Sequence, residues 1–183
     1  MAKINISTWG TYVIGDFMEK LDLKIKKDNF DKRLDTSIEK NDEFSLPLIN
    51  AKDGNNGIMY YGRSIDFESE KMCLGIVQNG AIATGNVYAQ IQRTGVLWDA
   101  YLVKPREEIS EYALLFLSRV VQDTIKKKYN YDNKAIWDKV KLESIRLPKN
   151  SIGNPDWVFM DLYMKNIEKI AVKTVDNLLT AII

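Results

Sequence analysis

The chain has 183 residues, one cysteine and no histidine, with 45% hydrophobic and 28% charged residues and a net charge of +1. That suits one domain, or one domain plus an appendage, with a packed core and no wholesale disorder. It excludes an internal disulfide, a multi-cysteine zinc site and the usual near-neutral general base, and it does not favour a stand-alone, non-specific DNA binder, which is normally basic.

The start, MAKINISTWG, lacks the apolar core of a signal peptide, and no apolar run is long enough to span a bilayer. A reducing, cytoplasmic setting without membrane attachment is expected. Trp9, Tyr12, Val13, Ile14 and Phe17 form an early apolar cluster, and Phe17 to Leu21 reads as a short helix. Residues 24–43 carry many charges and read as a solvated loop with some local helix.

From Phe44 the pattern changes. Phe44 to Asn50 reads as a strand, and Pro47 suggests an edge. Asp53-Gly54-Asn55-Asn56-Gly57 is dense in turn residues, and a strand resumes at Ile58. Cys73 to Val77 is another strand, with Asn79-Gly80 expected to make a tight hairpin into Ala81-Ile82-Ala83. A turn near Gly85 leads to a strand from Val87 to Ile91, and Gly95 precedes one from Val96 to Val103. The whole is a meander, mostly antiparallel.

Helical spacing then takes over. Ser110 is a candidate N-cap, followed by Leu114, Leu117, Val121 and Ile125. Val140 to Leu147 reads as a last strand. Asn154-Pro155-Asp156 opens the final helix, with asparagine as cap and proline in its first position. Met160, Met164, Ile167, Ala171, Val175, Leu178 and Ile182 follow at steps of three and four. A helix over 156–183 would be about 40 Å long.

These elements predict an α+β fold: a mixed, mostly antiparallel sheet domain with packed helices over 1–150, then one long C-terminal helix over 151–183. No carboxylate set has a recognisable catalytic frame, and the serines have no histidine to activate them. The glycines make turns and no phosphate loop. Asn154-Pro155-Asp156-Trp157 lacks the second proline of an amino-methyltransferase motif. The loop from Asn50 to Gly57 suits an ordinary hairpin, and its asparagines and lysine also suit base edges and phosphates. Lys126, Lys127, Lys128, Tyr129 and Tyr131 fit either a solvated helix end or phosphate contact. Lys165, Lys169 and Lys173 align on one helix face and suit water better than DNA.

Four segments in order carry a resemblance: "FSLPLINAKDGNNGIMYYG", "NGAIATGNVYAQIQRTGVLWDAYLVKP", "IWDKVKLESIRLP" and "GNPDWVFMDLYMKNIEK". Together, after an opening of Trp9 and Ile14-Gly15-Asp16-Phe17, they resemble a target-recognition domain of the specificity (S) subunits of type I restriction-modification systems. The resemblance covers nearly the whole chain. It implies a non-catalytic subunit that reads duplex DNA through polar loops. Catalysis would then belong to partners, a modification methyltransferase that binds S-adenosylmethionine and a restriction subunit; this chain would hold no cofactor or metal.

Under that resemblance the residues expected near DNA are Lys52, Asn55, Asn56, Arg63, Asn86, Arg93, Lys127 and Lys128. S subunits carry two recognition domains joined by two long helices, so one domain and one helix look like a half subunit, either a natural short form that pairs with itself or a piece of a longer chain. The helix stripe, from Met160 to Ile182, is then expected to pair with a second copy in a homodimeric coiled coil, or with a partner. Two other readings stay open: a protein-interaction scaffold without DNA readout, and a magnesium-dependent nuclease.

Overall fold

Two four-stranded sheets and a helix stack in three layers, and a long second helix runs out from them. The computed structural model describes residues 5–182, with side chains described through residue 180. In chain order the elements are β1 (Gly10–Val13), α1 (Ile14–Phe17), β2 (Met18–Lys20), α2 (Lys32–Asp35), β3 (Thr36–Ser37), β4 (Leu46–Ile49) and β5 (Ile58–Gly62). There follow β6 (Cys73–Val77), β7 (Val87–Gln90), β8 (Gly95–Val96), β9 (Ala100–Pro105), α3 (Glu111–Ile125), α4 (Trp137–Val140), β10 (Ser144–Leu147) and α5 (Trp157–Ile182).

The first sheet has the order β2-β9-β6-β7 and is antiparallel throughout. The second has the order β3-β5-β4-β8, with β4 and β8 parallel. β1 and β10 form a separate antiparallel ribbon. The predicted α+β class, with a mostly antiparallel sheet domain and one long C-terminal helix, is what the chain adopts.

Alternation in the first sheet builds the layers. Leu74, Ile76, Tyr101 and Val103 join the core beneath α3, while Cys73, Ala100 and Leu102 join Ile49 of the second sheet. β6 is buried at every position because both of its faces are covered, which is why it reads as a continuous apolar run. Helix α3 forms where its spacing puts it. Ser110 Oγ accepts from the Ala113 N–H, and Ala113, Leu114, Leu117, Val121 and Ile125 are buried. Each of the leucine, valine and isoleucine side chains contributes about 1.5–3 kcal/mol on burial.

Several expectations are corrected. The segment from Phe17 to Leu21 is not a helix. α1 ends at Phe17, and Met18–Lys20 pairs with β9, which buries Met18 completely. A few residues of helical propensity cannot outweigh that ladder and that burial. Pro47 does not mark an edge strand, since β4 lies between β5 and β8. Proline is tolerated because β8 partners only Leu48 and Ile49.

Asn79-Gly80 does not make a tight hairpin. The sheet closes by Val77 N–H to the Asn86 carbonyl and Gly85 N–H to the Val77 carbonyl, so 78–86 is a loop and 81–83 is no strand. The segment 96–103 is broken at Leu97–Asp99 into β8 and β9, and 140–147 opens with α4 before β10. The cap of α5 is Asp156, whose Oδ1 accepts from the Phe159 N–H at 2.9 Å. Pro155 precedes the helix in a bridge with Lys149.

Residues 24–43 are not simply a solvated loop. They contain α2 and β3, and Ile25 bridges Phe67. An ionic cluster pins them to the second sheet. Arg63 reaches Glu43 at 2.7 Å, Asp35 at 3.1 Å and Asp66 at 3.1 Å, and Lys27 reaches Asp35 at 2.8 Å. Asp35 is only 3% exposed. Bonds from Lys27, the Asp31 N–H and Arg63 hold its carboxyl at about 2. A carboxyl depressed in the folded state stabilises the fold above its ordinary value near ~4 and loses that contribution as pH falls through about 2. Limited proteolysis of the 24–43 segment should therefore accelerate between about pH 4 and pH 2. Asp35→Asn should be cleaved faster at neutral pH and lose most of that acid dependence.

Candidate nucleic-acid interface

The strand register gathers the polar loops at one rim. Val77 pairs with Ala100, and Ile49 runs beside Val96, so β4, β6 and β8 all end where β7 and β9 begin. The loops 50–57, 78–86 and 97–99 converge there. The C-terminal turn of α3 joins them, because a Cβ on Gly85 would lie 3.0 Å from the Lys126 backbone. Lys126 Nζ donates to the carbonyls of Ile82 and Thr84, and partial burial pushes its ammonium pKa down while Asp53 opposes the shift.

The 50–57 loop is held by Tyr88. Its hydroxyl accepts from the Gly54 N–H at 2.9 Å and from Asn86 Nδ2 at 2.9 Å, and donates to the Lys52 carbonyl at 3.2 Å. Gly54, Asn55, Asn56 and Gly57 all have positive φ, a run that glycine and asparagine tolerate best. Gly57 has a second constraint: a Cβ there would lie 2.7 Å from the Tyr88 ring.

The structure brings Lys52, Asn55, Asn56 and Asn86 together, with Lys127 and Lys128 adjoining through the end of α3. It uses them unequally. Lys52 and Lys127 are exposed. Asn55 is also exposed, with its amide donating to the Ile58 carbonyl at 3.0 Å. Asn56 Nδ2 donates to the Ala89 carbonyl and to Gln90 Oε1, at 3.2 and 3.3 Å. Asn86 is 5% exposed and bonds Asp53 at 2.7 Å, so its amide is occupied in the fold. Lys128 pairs with Glu143.

Arg63 and Arg93 lie away from this rim. Arg63 is engaged by its three carboxylates, and Arg93 donates to the Ser69 carbonyl at 3.0 Å. Sequence reasoning missed Gln78, Asn79, Tyr88, Trp98 and Asp99, which with Asn50 tie the rim loops to one another. Their spread over four segments left no local signal beyond an abundance of amides.

Cys73 is fully buried, and burial pushes its thiol up to about 12. Among the described residues no group of three or more histidine, cysteine, aspartate or glutamate side chains is disposed to hold a metal. No described helix is long and apolar enough to cross a membrane.

The long helix leaves from the other end. Phe116 meets Tyr163 edge to face at 5.9 Å, Tyr112 donates to Glu168 at 2.6 Å and Ser110 donates to Asp161 at 2.6 Å, so the first half of α5 packs across α3. Met160 is fully buried, and Met164 and Ile167 are partly covered. From Glu168 to Thr180 every residue is exposed, including Ala171, Val175 and Leu178, the last at 60%. The side chain of Ile182 lies outside the described residues. Val158, Phe159 and Leu162 form a second exposed apolar set that the stripe did not include.

The Tyr88 clamp gives a direct expectation. Tyr88→Phe leaves the Gly54 N–H, the Asn86 amide and the Lys52 carbonyl without their shared partner. Urea unfolding should report a loss of about 1–2 kcal/mol, and hydrogen exchange should quicken at Gly54 while β6 stays protected.

No family model matches the chain. It is 29% identical over 134 residues to the specificity subunit of a type II restriction enzyme from Heyndrickxia coagulans, a match over 73% of this chain and 39% of that protein. Three solved structures share its fold. The S subunit of a type I restriction-modification system from M. genitalium matches with a TM-score of 0.58 and 15% identity, over 93% of this chain and 41% of that one. The HsdS subunit from Thermoanaerobacter tengcongensis gives 0.54 and 14%, over 95% and 41%. A chain from a structure of type I restriction-modification complex assembly and conformational transition gives 0.53 and 15%, over 98% and 43%. The resemblance carried by the ordered motifs is thus met by the sequence of a restriction specificity subunit and by the fold of type I S subunits, of whose lengths this chain spans about two-fifths.

Proposed function

We propose that the chain is a non-catalytic DNA-specificity module of a restriction-modification system. It reads duplex DNA with the rim loops and assembles through α5 with a second copy. It docks a methyltransferase subunit that binds S-adenosylmethionine, and a restriction subunit cleaves. The observation that carries this reading is the 29% identity over 134 residues with a restriction specificity subunit.

The geometry supports it. A rigid sandwich presents amide-rich loops at one end, which is what base-edge contact requires. The helix α5 has 26 residues, about 39 Å, and every residue from Glu168 to Thr180 is exposed. Soluble proteins rarely leave such a seam in water. Antiparallel self-pairing would relate two rims by a two-fold axis, so the pair would read a split site with matching, inverted halves. The carboxylates that do come together, Asp35, Asp66 and Glu43, surround Arg63. They form a structural cluster, which speaks against the nuclease reading.

Selection from random duplex DNA, with and without the reconstituted methyltransferase complex, tests the function. Enrichment of no sequence in either arm would defeat it. Lys127→Ala should weaken all sequences alike and lower the salt slope by about one. Asn55→Ala should instead relax specificity at one position, by about 1–3 kcal/mol of discrimination.

Assembly has its own test. Val175→Glu with Leu178→Glu changes only exposed positions, so the domain should melt as before. Sedimentation should show dimers for the unmodified chain and monomers for the variant. A monomeric unmodified chain at high concentration would defeat self-pairing.

A further inference from the structure

Trp98 is 59% exposed, yet it stands on one of the most firmly held turns of the protein. The Leu97 N–H donates to the Ile49 carbonyl at 3.0 Å, and Gln78 Nε2 donates to the Trp98 carbonyl at 2.8 Å. The N–H groups of Gln78 and Asn79 both donate to the Asp99 carbonyl, at 2.9 and 3.3 Å. The Asp99 N–H donates to Asn50 Oδ1 at 2.9 Å. The indole touches Phe30, ring centres 5.9 Å apart, and is otherwise largely open. A lone exposed apolar residue needs no explanation. An aromatic side chain with only two rotatable bonds, fixed at its base by five hydrogen bonds, is a pre-organised contact.

The polar groups beside it are acceptors. Asp99 is partly exposed, and Asn79 Nδ2 donates to its Oδ1 at 3.0 Å, which fixes the carboxylate. Asn79 Oδ1 is the one buried side-chain polar atom without a hydrogen-bond partner among the described residues. An ionised carboxylate repels phosphate and accepts from N–H groups. In the major groove the bases that present an amino donor are cytosine, through N4, and adenine, through N6.

We propose that Trp98, Asp99 and Asn79 form a base-contact subsite for the exocyclic amino group of cytosine or adenine in the major groove. Asp99 accepts from the amino group, Asn79 orients the carboxylate, and the indole packs on the neighbouring apolar base edge. Asn50 couples this subsite to the Lys52–Asn56 loop, since its side chain holds Asp99 while its own N–H donates to the Gly57 carbonyl at 3.2 Å. The proposal rests on the DNA-reading function given above and adds which residues read which kind of base.

The test uses the full chain and the duplex it selects. Each amino base of that site is replaced in turn by its analogue without the amine: purine for adenine, 2-pyrimidinone for cytosine. At one position the unmodified chain should lose about 5- to 150-fold in affinity, while Asp99→Ala should lose nothing further from the same replacement. Trp98→Ala should lose a similar factor on the unaltered site, and Trp98→Phe should retain most of the affinity. Asp99→Asn provides the same comparison if Asp99→Ala melts early.

If Asp99→Ala, or Asp99→Asn in its place, and Trp98→Ala both select the original sequence with unchanged affinity, the subsite is wrong and the DNA function stands. If they keep DNA binding and lose the methyltransferase subunit, the patch is a protein-docking surface and the proposal is overturned. If the unmodified chain selects no sequence at all, the DNA function itself fails, and this assignment falls with it.

Discussion

A missing side chain lets the two sheets meet. Gly75 lies in the middle of β6, the strand covered on both faces. A Cβ there would sit 2.4 Å from Ile49 Cδ1, a distance that real side chains do not tolerate. Ile49 is fully buried in that gap, against Cys73, Ala100 and Leu102. Ile49 is also the last residue of β4, so the contact fixes where the 50–57 loop departs. Since β6 ends two residues after Gly75 and β9 begins opposite Val77, the same contact aligns the three rim loops. The rim is thus a consequence of sandwich packing, and its precision is inherited from the core.

Local order was legible where one segment contained the whole reason for it. The cap at Ser110 and the spacing from Leu114 to Ile125 dictate α3 without outside help. The stripe of α5 was legible for the same reason, although its true cap is Asp156. Turn chemistry at 53–57 was legible because four successive positive φ values need glycine or asparagine. The elements that were misread depend on distant partners. Met18 is a strand residue only because Pro105 lies opposite it. Asn79-Gly80 looks like a hairpin turn, yet the Asp99 carbonyl takes both the Gln78 and Asn79 N–H groups and opens the connection into a nine-residue loop. Asp35 and Arg63, 28 positions apart, gave no hint of pairing.

The same distinction applies to the candidate site. Residue type pointed to the 50–57 loop, and the fold puts that loop on the rim. Residue type cannot distinguish an amide that is free from one that is occupied. Asn86 belongs to the rim, but its Nδ2 is committed to Asp53 and Tyr88. Arg63 has the chemistry of a phosphate contact and serves instead as the hub of three carboxylates. A long basic side chain near acids of the same domain satisfies itself at no translational cost, and that competition is invisible in sequence.

Charge then links the rim to the helix. The rim is rich in amides and modest in cations: Lys126 is spent on two carbonyls, Lys128 faces Glu143, and Asp53 and Asp99 stand nearby. On the proposed function such a surface can discriminate bases, but it releases few counterions, and counterion release supplies most of the affinity of small DNA-binding domains. A single rim would therefore bind weakly. Two rims held by one rigid element bind the second half-site at an effective concentration set by geometry, which raises avidity without any new contact. A continuous helix suits this better than a flexible linker, because it fixes both separation and phase on the duplex. On that proposal the exposed half of α5 and the near-neutral charge of the chain would be two sides of one arrangement: the domain would supply discrimination, and pairing would supply affinity.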